Sequence, residues 1–279
     1  MKKILILCGF ALLFACAFSC KKGSIETNYN PSLIVANNQV IAERAYSQVF
    51  NIFFMVVNDS TLKADGSNEI YGANCSYEAS PVIRYVIDYL PWYSPCPDGK
   101  IRKGVITATL DKDFDMTGAS AELTFSGYTI DGLLLEGNNI IVNEGINGDL
   151  QPVYSHLVPD AVVSLVDSVS QSLFRWESEK TFTLVDGKAT PGNYDDDIFM
   201  ISGSATGTAT NNAVFGASTV EALGNYFDCR WIRTGVTLLS MPGLDVNSGS
   251  IHYTGADSCQ NLVTYYFNDN PFFERFERH

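Results

Sequence analysis

Short runs of alternating apolar and polar residues dominate this chain from about residue 68 to its end. In Val82–Leu90, for example, apolar side chains alternate with Arg84 and Asp88. Such alternation places successive side chains on opposite faces of a β-strand. Turn-forming pairs such as Asp131-Gly132 and Asp186-Gly187 separate the runs, and no helical pattern lies between them. Because connections this short join antiparallel strands, the pattern predicts one large antiparallel sheet, either a sandwich or a curved open sheet.

A single helical pattern precedes the strands. Asn30-Pro31 is typical of a helix start, with Asn30 as the N-cap and Pro31 as the first helical residue. Apolar residues then recur at steps of three and four as far as Asn58. We therefore expect an α+β fold, mainly β, in which one long N-terminal helix over residues 31–58 packs on a large antiparallel sheet. The predicted contact face consists of Ile41, Ala45, Val49, Ile52, Phe53 and Val56.

The first 19 residues have the features of an export signal. Lys2 and Lys3 precede an apolar run, residues 4–18, that is too short to span a bilayer comfortably. Residues 17–20, Ala-Phe-Ser-Cys, are similar to the cleavage box of bacterial lipoproteins, in which the cysteine receives acyl chains. The pattern predicts that Cys20 anchors the protein to the lipid bilayer. The alternative is an ordinary secretory signal that happens to contain a cysteine.

The signal also sets the expected boundaries and compartment. Residues 20–30 are expected to form a tether and residues 31–279 a single β-rich domain. Within that domain, about 68–150 and 151–279 are candidates for two similar halves. The anchor indicates the bacterial outer membrane, with its periplasmic face favoured over the cell surface. The formal charge of −13 argues against nucleic acid as a partner, because proteins that bind nucleic acid present basic patches.

Four cysteines follow the predicted anchor. They form no CxxC motif and lie at no zinc-ligand spacing from the histidines. Cysteines of exported proteins pair in an oxidising compartment, and four cysteines allow three pairings. Proximity in the sequence favours Cys75–Cys96 and Cys229–Cys259. The alternative is that these cysteines are buried free thiols.

Three stretches form an ordered series along the chain. Residues 96–106 contain Cys, Asp-Gly, Arg and Gly in a turn that leads into a strand, and residues 125–137 contain Phe-Ser-Gly-Tyr and Asp-Gly. Residues 229–235 read Cys-Arg-Trp-Ile-Arg-Thr-Gly, and Cys259 follows downstream. Together with the lipoprotein box they resemble an uncharacterised family of Bacteroides-type (Bacteroidota) envelope lipoproteins. The resemblance implies a β-rich lipoprotein of the cell envelope and brings no established activity.

One acidic segment has the ligand spacing of a calcium loop. Its candidate ligands are Asp111, Asp113, Asp115 and Glu122. However, Met116 occupies the sixth position, where such a loop needs glycine, and strands flank the segment on both sides. A solvated hairpin turn is therefore the favoured interpretation. Asp195–Asp197 is a second acidic cluster, for which we favour a charged strand start over a calcium site. No other cofactor is expected.

No catalytic residue is predicted. The chain has neither a GxSxG nor an HExxH motif. His156 is the one histidine placed to serve as a base, and the alternative is that this lone histidine is structural. Trp92 and Tyr93 lie in a proline-rich segment that a Cys75–Cys96 bridge would hold at its base. Their ring faces are suited to stacking on a sugar. The alternative is that Trp92 caps the core.

Together, these patterns favour a non-enzymatic, membrane-anchored binding or structural module of the envelope, with a glycan or an envelope protein as partner. Two alternatives stay open. A carrier of lipid or another apolar ligand would need a continuous apolar cavity between the helix and the sheet. A glycan-degrading enzyme would need two carboxyl groups about 5–10 Å apart in an open cleft.

Overall fold

The computed structural model describes residues 27–89, 95–166, 173–255 and 259–275. It confirms the predicted fold class, which is mainly β with one large antiparallel sheet and one long N-terminal helix. The helices are α1 (Asn30–Val57) and α2 (Ser60–Asp65). The strands are β1 (Ser67–Ile70), β2 (Ala73–Glu78), β3 (Ile83–Tyr89), β4 (Arg102–Leu110), β5 (Ser120–Ile130), β6 (Leu133–Glu136), β7 (Asn139–Ile146), β8 (Pro152–Leu165), β9 (Leu173–Asp186), β10 (Ile198–Thr208), β11 (Val214–Tyr226), β12 (Ile232–Ser240), β13 (Ser248–Thr254), β14 (Leu262–Phe267) and β15 (Asn270–Arg275).

All of these strands belong to one sheet. Neighbours follow the sequence order from β1 to β6 and from β8 to β15, while β7 pairs with β5 and β8. The 14-residue strand β8 pairs with β6 through residues 162–165 and with β7 through residues 152–157. It also pairs with β9 along most of its length. The sheet therefore continues without a break across residue 150, where the sequence suggested a division into halves.

The helix α1 begins slightly differently from the prediction. Tyr29, rather than Asn30, is the N-cap residue, and its side chain makes no capping hydrogen bond. The side chain of Asn28 accepts a hydrogen bond from the N–H of Asn30 at 3.1 Å, which satisfies one of the unpaired donors at the helix start. Pro31 lies in the first turn, where its missing N–H costs nothing.

The sheet encloses α1 far more completely than a one-sided contact would. Of its 28 residues, 22 are buried, and they include polar residues outside the predicted apolar face. Side chains from strands throughout the sheet donate hydrogen bonds to α1. These bonds are Arg102 (β4) to Gln48, Trp176 (β9) to Gln39, Asn225 (β11) to Asn51 and Tyr265 (β14) to Asn37. Because β4 and β14 lie towards opposite edges of the sheet, the sheet curls around the helix.

Aromatic rings fill the space between the C-terminal half of α1 and the sheet. The ring of Phe50 stacks on that of Phe182 with centroids 4.0 Å apart, and it meets the ring of Phe199 edge-on at 5.1 Å. Phe54 also meets Phe199 edge-on at 5.1 Å. Each ring pair of this kind contributes about 0.5–1.5 kcal/mol beyond the burial of its apolar area. The interior beside this part of the helix is therefore packed with side chains of the protein itself.

The length and composition of α1 would also allow it to cross a membrane. However, 94% of its most apolar 18-residue window is buried inside the domain. A helix that already packs on protein in this way acts as a core element, and its apolar character is explained by the sheet around it.

Candidate functional site

The three sequence stretches that carry the family resemblance meet beside the middle of α1. Arg102, from the first stretch, pairs in register with Ile130 of the second. The Lys100 ammonium group lies 3.4 Å from the carboxylate of Asp131, also in the second stretch. The same ammonium lies 5.0 Å from the ring centroid of Trp231, in the third stretch. Residues far apart in the sequence and in the strand order thus form one site.

Trp231 is the centre of this site. Besides Lys100, the guanidinium group of Arg44 lies 4.6 Å from its ring centroid and that of Arg230 lies 5.0 Å from it. We call these four residues the Trp231 cluster. Cation–π contacts of this geometry contribute about 0.5–1 kcal/mol each at exposed positions and more when they are desolvated. Since Trp231 is only 9% exposed, the cluster holds the β11–β12 turn against α1 and the β3–β4 connection.

A largely buried ion pair supports the cluster from the side of β4. Arg102 donates two hydrogen bonds to Asp98, at 2.9 and 2.6 Å, and a third to Gln48 of α1 at 3.1 Å. In a bidentate pair, two N–H groups of the guanidinium donate to the two oxygens of an oppositely charged carboxylate, so both charge and geometry are complementary. This pair fixes the turn at residues 96–100 to the helix.

One glycine of these stretches, Gly104, is required by the backbone at this point. Gly104 has a positive φ of +80°, and a β-carbon on it would lie 2.2 Å from the carbonyl oxygen of Gly127. The pairing of β4 and β5 shifts register between Lys103 and Val105. A side chain on Gly104 would therefore push the two strands apart at the bulge.

Lys100, Arg44 and Asp98 stay ionised near neutral pH. Burial lowers the pKa of Lys100 to about 8, against the opposing effect of Asp131, and it lowers the pKa of Arg44 to about 10. Burial raises the pKa of Asp98, but the hydrogen bonds and charge of Arg102 outweigh it and hold that pKa below its ordinary value. The site thus concentrates positive charge in a chain whose formal net charge is −13.

The predicted ligand-binding residues Trp92 and Tyr93 lie outside the described residues, as does the predicted lipid anchor Cys20. Both flanks of residues 90–94 are attached to the site described above. The ring of Tyr89 lies 5.9 Å from the Arg102 guanidinium, and the N–H of Cys96 donates a hydrogen bond to the carbonyl of Lys100 at 2.8 Å.

The structure confirms one predicted disulfide and corrects the other. Cys229 and Cys259 form a disulfide with their α-carbons 5.4 Å apart. Cys75 and Cys96 are buried free thiols. Cys75 points into the core from β2, whereas the turn at residues 96–100 holds the Cys96 sulfur over Gly72. Closeness in the sequence favoured this pair, but the pairing of two thiols depends on where each side chain points.

The acidic segment after β4 is a turn in which three of the four candidate calcium ligands have other partners. Asp113 and Asp115 lie 3.7 and 3.4 Å from the ammonium of Lys63, and Asp111 accepts a hydrogen bond from the N–H of Ser120 at 2.8 Å. Glu122 lies within β5. In the described part of the chain, no three acidic, histidine or cysteine side chains are arranged to hold a metal ion.

The sequence singled out His156 and the cluster that contains Asp197 but did not predict that either side chain is buried. His156 is buried, bonded to Asn139 at 2.9 Å, and burial followed by the charge of Lys180 lowers its pKa to about 3, so it is neutral. Asp197 is buried next to a cavity, while Asp195 and Asp196 are exposed. The sequence provides only a weak indication, because three consecutive aspartates before an apolar strand do not show which of their carboxylates is buried.

Comparisons with family models, with curated proteins and with solved structures give no match to this chain.

Proposed function

We propose that this protein is a non-enzymatic binding or structural module of the bacterial envelope, anchored to the outer membrane through acyl chains on Cys20. Its partner is a glycan or another envelope protein, and Trp92 and Tyr93 provide the contact. The observation that best supports this proposal is that side chains of the protein fill the space between α1 and the sheet. A sheet wrapped tightly around its own helix supports a rigid module with its binding residues outside the core.

The filled interior favours this function over transport of an apolar ligand. A carrier needs an internal cavity that buries most of its ligand. Here Phe50 and Phe54 pack directly on the rings of Phe182 and Phe199. One turn earlier in α1, the ring of Tyr46 stacks on that of Trp176 with centroids 5.1 Å apart. Along residues 46–54, side chains of α1 and the sheet therefore occupy the space that an apolar ligand would take.

The partners of two acidic residues inside the protein, Glu43 and Asp98, support a structural role for those two residues. Glu43 pairs with Lys180 and Asp98 pairs with Arg102, both inside the protein. A glycosidase instead needs two carboxyl groups facing one open cleft, with one of them free to donate a proton. Because Glu43 and Asp98 are held in ion pairs, they favour the binding-module interpretation in this part of the domain.

The Trp231 cluster supports a binding role for the neighbouring segment. Tyr89 and Cys96 attach the two flanks of residues 90–94 to a buried, ion-paired framework. Pro91 and Pro95 further restrict the backbone of this segment. Binding through Trp92 and Tyr93 would then cost little ordering entropy, and their ring faces suit a sugar or an apolar protein surface.

Membrane attachment is tested by fractionating cells that express the full chain or its Cys20→Ala variant. We expect the native chain in washed membranes and the variant in the soluble fraction. Protease treatment of intact cells then distinguishes the periplasmic face, where the protein survives, from the cell surface. A Cys20→Ala protein that stays in washed membranes would contradict the lipid anchor.

Ligand binding is tested with residues 21–279 on arrays of bacterial and host glycans and by affinity capture from envelope extracts. We expect Trp92→Ala to abolish binding while leaving the melting temperature within a few degrees of the native value. A large loss of stability in Trp92→Ala would identify Trp92 as a core residue. Lipid that co-purifies in native mass spectrometry would support a carrier, and glycan fragments released during incubation would support an enzyme.

A further inference from the structure

A cavity of about 210 Å³ lies where the C-terminal end of α1 meets the connection between β9 and β10. Phe54, Leu184 and Tyr194 form the apolar part of its wall, and Lys188 and Asp197 are among its polar residues. Pockets for drug-sized ligands measure about 300–1,000 Å³, so this cavity suits a smaller molecule. The mixed wall can cover the apolar part of a ligand and orient one polar group.

The carboxylate of Asp197 has no partner of its own in this wall. The residue is 5% exposed. Its backbone is fixed, because its N–H donates to the carbonyl of Tyr194 and its carbonyl accepts from the N–H of Phe227, both at 3.1 Å. Within the described parts of the chain, its side-chain oxygens form neither a hydrogen bond nor an ion pair. A buried carboxylate without a partner costs free energy, which a bound counter-charge would offset.

The backbone is shaped to admit this carboxylate. Gly187 has a φ of +93°, and a β-carbon on it would lie 1.9 Å from Oδ1 of Asp197. Only glycine leaves room for the carboxylate at this position. The side chain of Asp197 is therefore held at the cavity by its own backbone hydrogen bonds and by the absence of a side chain at residue 187.

The surrounding charges favour a cation as the missing partner. Burial, followed by the charges of Asp196 and Asp186, raises the pKa of Asp197 to about 7. Lys188 lines the cavity, but its ammonium donates to the carbonyl of Leu150 at 2.8 Å. No group of acidic, histidine or cysteine side chains in the described ranges is arranged for a metal ion. The adjoining rings of Phe54 and Tyr194 instead suit an organic cation.

We propose that this cavity binds a small organic ammonium ion, with the ammonium group on Asp197 and the apolar part of the ligand against Phe54, Tyr194 and Leu184. The site is separate from the contact proposed for Trp92 and Tyr93. Either proposal can therefore fail without the other.

The test is a titration of ¹⁵N-labelled protein, residues 21–279, with benzylammonium chloride and, as the uncharged match, benzyl alcohol. We expect benzylammonium to shift the amide resonances of Gly187 and Phe227 in a saturable manner. Benzyl alcohol should bind at least about tenfold more weakly, because it lacks the charge. Equal affinity of the two probes, or no saturable shift with benzylammonium, would overturn the proposal.

Two matched variants test the role of the carboxylate itself. Asp197→Asn keeps the size of the side chain, removes its charge and should weaken benzylammonium binding at least about tenfold. Asp195→Asn removes the same charge from an exposed neighbour that does not line the cavity, and it should leave the affinity unchanged. Undiminished binding by Asp197→Asn, or an equal loss in both variants, would overturn the assignment. The comparison of the two probes on the native protein stands even if a variant fails to fold.

Discussion

Glu43 of α1 and Lys180 of β9 form an ion pair inside the domain, with 2.7 Å between Oε2 and Nζ and with both side chains at most 3% exposed. Gln39 donates to the same carboxylate oxygen at 2.9 Å and accepts a hydrogen bond from Trp176 at 2.9 Å. This network ties one face of the helix to the inner face of the sheet. The buried charges are tolerated because each has a partner of opposite sign.

Breaking this pair from one side should be strongly destabilising. Lys180→Met leaves the Glu43 carboxylate buried without its counter-charge, and we expect the free energy of unfolding to fall by about 3–5 kcal/mol. The double variant Glu43→Leu/Lys180→Met should lose much less than the two single variants together. Urea denaturation of the four proteins gives the coupling energy. Arg84→Ala is the control, because its ion pair with Glu78 is exposed and contributes about 0–1 kcal/mol.

Two isoleucines of α1 test how completely the sheet encloses the helix. Ile52 is 1% exposed, so Ile52→Asp buries an unpaired carboxylate and should cost several kcal/mol, enough to prevent folding. Ile34 is 37% exposed on the same helix, and Ile34→Asp should give a folded protein. Circular dichroism and thermal unfolding distinguish the two. Normal folding of Ile52→Asp would show that this face of α1 is open to solvent.

The cysteines should differ sharply in reactivity. Mass spectrometry of the unreduced protein should find the Cys229–Cys259 link alone, and removing it should cost about 2–5 kcal/mol. Burial raises the pKa of Cys75 to about 12, so this thiol should react with a thiol reagent only after unfolding. A Cys75–Cys96 link in the unreduced protein would contradict the free thiols of the structure.

Asp197 should make the stability depend on pH. Its pKa rises from an ordinary value of 3.8 to about 7 on folding, so between these pH values the folded state binds a proton that the unfolded state has released. Stability should therefore fall as the pH rises from about 4 to about 7 and stay lowered above that.

The comparison with Asp197→Asn isolates this contribution. The variant should be more stable than the native protein above pH 7, by on the order of 1–2 kcal/mol because the open cavity keeps the carboxylate partly hydrated. Near pH 4 the two proteins should be similar. Urea denaturation at several pH values measures the difference. A native protein that is the more stable of the two above pH 7 would show that Asp197 has a cationic partner within the chain.

The sequence identified the stretches that form the candidate site, but it did not predict that they lie together. The stretches around Asp98, Asp131 and Trp231 stood out as turns next to strands. Their meeting at α1 could not be predicted, because it depends on how far the sheet curls. The same limit explains the incorrect Cys75–Cys96 pairing, since separation along the chain does not determine the direction in which a side chain points.

Local periodicity was sufficient to determine the fold class, the long helix and the antiparallel pairing, because these depend on side chains two to four positions apart. Proximity in the sequence also predicted the Cys229–Cys259 link, but the same argument failed for Cys75 and Cys96, so the structure decided which pair is bonded. Only the tertiary structure decided that the sheet encloses most of α1, that Glu43 and Lys180 pair beneath it, and that Asp197 faces a cavity. The physical reason is that these contacts join strands that are distant in sequence, and their geometry follows from the accumulated twist and curl of the whole sheet.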